Sequence, residues 1–154
     1  MFAHSSLNYY TLLGICKSEY SKACYIFAIV KHEIFINGYI GEMFDFFGDG
    51  NSFSLKTLNA ELASMPTEIT ELEVHINSGG GLVSEGFAIY DKLIATKLPI
   101  TTIVEGMCGS IATIIAQAGK TGSRKMFQNS DYFIHNPLWI PSAPDAHTAD
   151  DLEK

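Results

Sequence analysis

The chain has 154 residues, a length that fits one domain with a buried core of ordinary size. Its 17 acidic and 10 basic side chains give a formal net charge of −7, which argues against non-specific binding to nucleic acid phosphates or anionic membranes. The three cysteines show no CxxC spacing and indicate neither a disulfide framework nor a zinc site. We therefore expect a protein from a reducing compartment.

Residues 1–24 carry apolar stretches without a pattern that assigns them a role. The stretches YYTLLGIC and CYIFAIV are interrupted by Lys17, Glu19 and Lys22, so no run of about 18 apolar residues could span a bilayer. The segment also lacks a basic region followed by a cleavage site. The sequence predicts an N-terminal extension, either an arm on a partner subunit or a poorly ordered segment.

The next part of the chain alternates strand and helix patterns. The segment EIFINGYI, which begins at Glu33, predicts a strand. In residues 52–66 the apolar side chains recur at helical spacing, with Ser52 or Ser54 as the N-cap and a proline just beyond the end. The strand pattern LEVHI follows at residues 72–76, and NSGGG then predicts a turn.

The second half continues this alternation. LVSEGFAIYDKLIA predicts a helix with one apolar face made of Phe87, Tyr90, Leu93 and Ile94. PITTIVEG predicts a strand, MCGS a tight junction, and IATIIAQAG a helix closed by Gly119 at its C-cap.

The remaining patterns are short. KMFQ and DYFIH predict two strands, NPLWIPSAPDA predicts a proline-broken loop, and Thr148 is a candidate N-cap for a further helix. The order of elements predicts an α/β fold with repeated strand and helix units and a largely parallel sheet.

Two of the junctions between a strand and a helix have residues that suit a catalytic site. The run Gly79 to Gly81 lies between a strand and a helix, where glycine lets a backbone N–H face a ligand without an intervening Cβ. It matches neither a dinucleotide fingerprint nor a phosphate loop. Ser110 lies where the first N–H groups of a helix would stabilise an oxyanion, although Ala112 departs from the GxSxG elbow. A plain turn and an N-cap serine are the ordinary explanations for these two features.

His135 ends the strand pattern DYFIH, and Asn136 and Pro137 then turn the chain away. An imidazole at a strand end can act as a general base near neutral pH, although a structural histidine is the commoner explanation. The order Gly81, Ser110, His135 favours a catalytic site over three unrelated features.

The segments HINSGGGLVSEGFAIYDKL, VEGMCGSIATIIAQAG and YFIHNPLW resemble ClpP-type serine peptidases, which include the Clp protease proteolytic subunit and related viral head maturation proteases. The resemblance covers about residues 33–154, and it implies the ClpP/crotonase-like fold. The separations of 29 residues from Gly81 to Ser110 and of 25 from Ser110 to His135 fit the family pattern. By this resemblance Ser110 is the nucleophile and His135 the base. The oxyanion donors are the backbone N–H groups of Gly81 and Ile111.

The chain departs from the family pattern at two places. Gly79 replaces the usual proline before the glycine pair, which predicts a more flexible turn. The family's third triad member is an aspartate that follows a long helix, and Asp145, Asp150 and Asp151 lie in the wrong segment for it. We expect the acid beyond Lys154, or the chain to be a remnant. Without an orienting acid, turnover can fall by about 10⁴.

Residues 25–154 are therefore expected to form a ClpP-like peptidase domain without its C-terminal part. The resemblance implies a serine endopeptidase that uses no metal or organic cofactor and forms a homo-oligomeric ring in the cytoplasm of a bacterial or phage-infected cell. Its partners would be polypeptide substrates and either an ATP-driven unfoldase or, in the viral branch, capsid protein. Neither nucleic acid nor a membrane is expected as a partner. The tail APDAHTADDLEK favours the viral branch.

The sequence leaves three other functional hypotheses open. A crotonase-type acyl-CoA hydratase or hydrolase shares the scaffold but uses acidic residues in place of a Ser and His pair. A non-catalytic scaffold subunit would keep the fold and assemble without turnover. A Ser and Lys peptidase would need Lys120, which lies past the far end of the helix that follows Ser110.

Overall fold

A computed structural model describes residues 10–12, 28–42, 51–139 and 147–148, which form nine strands and three helices. The strands are β1 (Tyr10–Leu12), β2 (Ala28–Ile40), β3 (Ser52–Phe53), β4 (Glu71–Gly81), β5 (Ile100–Gly109), β6 (Arg124–Met126), β7 (Asp131–Phe133), β8 (Leu138–Trp139) and β9 (His147–Thr148). The helices are α1 (Leu55–Ser64), α2 (Val83–Ala95) and α3 (Ala112–Ala116). No helix in the described ranges has the length and apolar character needed to cross a membrane.

The main sheet has seven strands, with β2, β4 and β5 side by side at its centre. These three pair in parallel, and β3 adds to β2 in parallel as well. β6 and β7 pair in parallel with successive parts of β5, whereas β1 pairs antiparallel with β2. The predicted α/β fold with a largely parallel sheet is confirmed.

The helices cover one face of this sheet. Because side chains alternate along a strand, Leu72, Val74 and Ile76 of β4 point toward the helices and are fully buried. They form one core with residues of all three helices. Of the two predicted N-caps, Ser54 is confirmed, since its hydroxyl accepts the N–H of Thr57 at 3.3 Å, whereas Ser52 lies in β3.

The apolar face of α2 differs from the prediction. Its buried residues are Gly86, Ile89 and Leu93, whereas Phe87 and Ile94 are about half exposed. Leu93 was predicted correctly, but the predicted face left out Gly86 and Ile89, which lie on the side where α2 meets its neighbours.

Several predicted boundaries were also wrong. The NSGGG segment is part of β4 because its last two glycines pair with Tyr39 and Ile40 of β2. The C-cap of α3 is Gln117 and not Gly119. Thr148 lies in β9, which pairs antiparallel with β8 in the predicted loop, so it is not a helix N-cap. Residues 149–154, where that helix was predicted, lie outside the described ranges, as do most of residues 1–24.

Candidate active site

The carboxyl ends of β4 and β5 meet at one edge of the sheet. Gly80 has φ +106°, a conformation that favours glycine. A Cβ at this position would lie 2.7 Å from the Cβ of Ser110 and 2.9 Å from the carbonyl oxygen of Gly109. The lack of a side chain at Gly80 is therefore what lets the end of β4 contact Ser110.

Ser110 follows β5 directly and has φ +51°. A residue with a Cβ reaches this left-handed region at a cost of about 1–2 kcal/mol, and such strain is concentrated at functional sites. Ile111 then leads into α3. The backbone thus turns sharply between strand and helix, and Ser110 stands at that turn, half-buried.

Two backbone N–H groups flank Ser110. The carbonyl oxygen of Ile40 accepts the N–H of Leu82 at 2.8 Å. Successive N–H groups along a strand point to opposite sides, so we expect the N–H of Gly81 to face away from β2. The N–H of Ile111 donates no hydrogen bond to any group within the described ranges.

His135 reaches this edge of the sheet through β7. Gly109 of β5 pairs with Phe133, and the N–H of Ser110 donates to the carbonyl oxygen of Phe133 at 2.9 Å. The prediction that His135 ends the strand was wrong, because β7 stops at Phe133. The His135 ring stacks on Phe133 with centroids 5.4 Å apart and is exposed.

The structure brings together the segments of Gly81, Ser110, Ile111 and His135. Ser110 Oγ and the His135 ring make no hydrogen bond to each other in the described part of the chain. A catalytic hydrogen bond is often long or unformed without substrate. The other predicted base does not join them: Lys120 is exposed and lies beyond the C-terminal end of α3.

Cys108 is a second potential nucleophile, two residues before Ser110. It is fully buried against the hydrophobic core. Burial raises the pKa of the Cys108 thiol to about 12, so at neutral pH it is protonated and a poor nucleophile. Ser110 is thus the better candidate at the end of β5.

A cluster of charged side chains lies on the sheet face away from the helices. Ligand atoms of Glu33, Glu73 and His75 lie within 4.8 Å of one another. The Lys31 ammonium lies 2.9 Å from Glu73, and His75 Nδ1 lies 2.7 Å from a Glu105 carboxylate oxygen. Lys31 and Glu105 are partners of Glu73 and His75, and we assign no metal to the cluster. The alternation of Glu71, Glu73 and His75 with buried apolar residues was a sequence signal for it.

Two residues that contact the segments of the site were not predicted from the sequence. Ser78 is 2% exposed, and its hydroxyl accepts the N–H of Gly80 at 3.0 Å. Gly86 of α2 packs so closely on Ile111 that a Cβ would overlap the Ile111 side chain. The sequence signal for Gly86 was a small residue within a helix that faces another helix. The sequence contains no signal for the buried hydroxyl of Ser78.

Comparison with known proteins decides the family. The family model described as Clp protease matches residues 52–153, which is well over half of the chain. The chain belongs to the Clp protease family. Among curated members it is similar to an ATP-dependent Clp protease proteolytic subunit from Leuconostoc citreum, with 45% identity over 76 residues that cover 49% of this chain and 37% of the relative.

A second Clp protease relative, from Ligilactobacillus salivarius, carries the same description. It is 38% identical over 93 residues, which cover 59% of this chain and 47% of the relative. The matches thus span a third to a half of the length of these curated relatives.

Solved Clp protease structures show the same fold. A ClpP1 mutant from Listeria monocytogenes aligns with a TM-score of 0.56 and 23% identity, over 68% of this chain and 56% of that one. The ClpP protease catalytic domain from Plasmodium falciparum aligns with a TM-score of 0.53 and 30% identity, over 67% and 54%. The expected ClpP-type fold is confirmed.

Proposed function

We propose that this chain is a serine endopeptidase of the ClpP class with Ser110 as its nucleophile. The observation that carries the proposal is the strained backbone of Ser110, held between the glycine end of β4 and the strand that leads to His135. Proteolytic subunits among the relatives support the same activity.

The proposed reaction gives each of these groups one role. The Ser110 hydroxyl attacks the substrate carbonyl carbon while His135 takes its proton, and the N–H groups of Gly81 and Ile111 stabilise the oxyanion. His135 then gives the proton to the leaving amine as the C–N bond breaks. Water, deprotonated by His135, attacks the acyl-enzyme and releases the second product. The acid that would orient His135 stays a prediction beyond Lys154.

Assembly into a homo-oligomeric ring is part of the proposal. Large apolar side chains are exposed between the end of β6 and His135, namely Phe127 at 53%, Phe133 at 54% and Ile134 at 73%. Exposed apolar surface is typical of protein interfaces where it is contiguous. Polypeptides would be the substrates. The description of the curated relatives as ATP-dependent supports an ATP-driven unfoldase as partner over capsid protein.

The test is peptide hydrolysis by the full chain and by matched variants. We expect Ser110→Ala and His135→Ala to lose turnover of a fluorogenic peptide, while Lys120→Ala keeps it. Peptide turnover that persists in Ser110→Ala would contradict the proposal. Turnover of an acyl-CoA thioester by that variant would instead favour the crotonase-type alternative.

A further inference from the structure

The buried hydroxyl of Ser78 joins two strands at the point where their pairing is irregular. It donates to the carbonyl oxygen of Gly38 at 2.6 Å and accepts the N–H of Gly80 at 3.0 Å. The residue is 2% exposed, so solvent has little access to its hydroxyl. One hydroxyl therefore uses both its donor and its acceptor capacity inside the protein.

Ser78 takes the place of regular ladder hydrogen bonds. The register of β2 and β4 shifts between Asn37 and Tyr39, and that of β4 and β5 shifts between Ile76 and Ser78. Irregular pairing of this kind leaves backbone N–H and C=O groups without their usual hydrogen-bond partners and bends the strand. The Ser78 hydroxyl satisfies two such groups, one on β2 and one on β4.

The bond to Gly80 fixes the segment that touches the candidate nucleophile. Gly80 contacts Ser110, as shown by the 2.7 Å that would separate a Gly80 Cβ from the Ser110 Cβ. The next N–H along the chain is that of Gly81, which we expect to face away from β2. Movement of Gly80 therefore changes both the contact with Ser110 and the direction of the Gly81 N–H.

We propose that Ser78 is a positioning residue that holds the Gly80 and Gly81 backbone in register with Ser110 for oxyanion binding. The inference rests on the proposed peptidase function. It assigns Ser78 a role in stabilising the transition state through Gly81, without contact between Ser78 and the substrate.

The kinetic test compares Ser78→Ala with Ser54→Ala in the full chain. Ser54 is the matched control because it is also a buried serine, 6% exposed, with a hydroxyl that accepts a backbone N–H. We expect Ser78→Ala to lower kcat roughly 10- to 100-fold at nearly constant KM, because a misplaced oxyanion donor acts on the transition state. Ser54→Ala should keep the kcat of the wild type.

Two outcomes separate this inference from the proposed function. Loss of turnover in Ser110→Ala together with an unchanged kcat in Ser78→Ala would overturn the positioning role alone. Turnover that is independent of Ser110 would overturn the peptidase and the positioning role with it. If Ser78→Ala does not fold, Ser78→Cys keeps the shape of the side chain with a larger atom that forms weaker hydrogen bonds, and a wild-type kcat in that variant would refute the inference.

A second measurement does not need turnover. Amide hydrogen exchange at Gly80 should become roughly 3- to 10-fold faster in Ser78→Ala, which corresponds to the loss of one ordinary hydrogen bond. Ser54→Ala should leave this rate unchanged. Equal exchange at Gly80 in the wild type and in a folded Ser78→Ala would refute the positioning role whether or not the chain cleaves peptides.

Discussion

Gly86 packs directly on Ile111, the residue after Ser110, and the energy of this contact can be measured by substitution. Gly86 lies in the first half of α2, and a Cβ there would overlap the Ile111 side chain. Overpacking of a core by one methyl group costs about 1–3 kcal/mol, whereas replacing glycine by alanine within a helix returns about 1 kcal/mol. We therefore expect Gly86→Ala to destabilise the fold by about 0–2 kcal/mol.

A double-mutant cycle isolates the contact itself. Ile111 is 5% exposed, so Ile111→Ala alone should cost about 2–5 kcal/mol by leaving a cavity. In the double variant the alanine at position 86 no longer meets the missing side-chain atoms and fills part of the cavity. The double variant should be more stable than the sum of the single effects by about 1–3 kcal/mol, measured by urea unfolding. Additivity within about 0.5 kcal/mol would refute the proposed contact.

Three further outcomes follow from the described residues. Cys108, whose pKa burial raises to about 12, should resist iodoacetamide at pH 8 in the folded chain and react after unfolding, as read by peptide mapping. Burial acts to raise the pKa of Glu73, but the hydrogen bond and charge of Lys31 outweigh burial and hold this pKa below its ordinary value. Glu73→Gln should therefore lower the unfolding free energy at pH 7 by less than about 1 kcal/mol, and the difference should vanish below the lowered pKa. An unchanged difference at pH 2 would contradict this. Ser110→Gly should be about 1 kcal/mol more stable than Ser110→Ala, because φ +51° strains a residue with a Cβ; equal melting temperatures would count against that strain.

Elements whose apolar residues recur at regular spacing were predictable from the sequence. Helix α1 follows from its apolar spacing and its N-cap at Ser54, and both are present in the structure. The glycine run at the end of β4 was harder to predict, because glycine usually indicates a turn. In this fold Gly80 and Gly81 pair with β2, so a tertiary contact overrides the local preference.

The candidate site could be predicted only in part. The order of Gly81, Ser110 and His135 indicated their segments, but the register that places Phe133 beside Gly109 depends on pairing between distant strands. The hydrogen bonds of Ser78 join residues of two strands, and no local pattern encodes them. A small residue in α2 was a signal for Gly86, but the sequence does not show that Ile111 is the residue it meets.

Covalent labelling with a fluorophosphonate tests whether Ser110 is the nucleophile. The probe reports an activated serine without requiring a particular peptide substrate. We predict modification at Ser110 in the wild-type chain, much slower modification in His135→Ala, and none at position 110 in Ser110→Ala. Failure to label Ser110, or equal labelling in the wild type and Ser110→Ala, would contradict the assignment of Ser110 as the nucleophile.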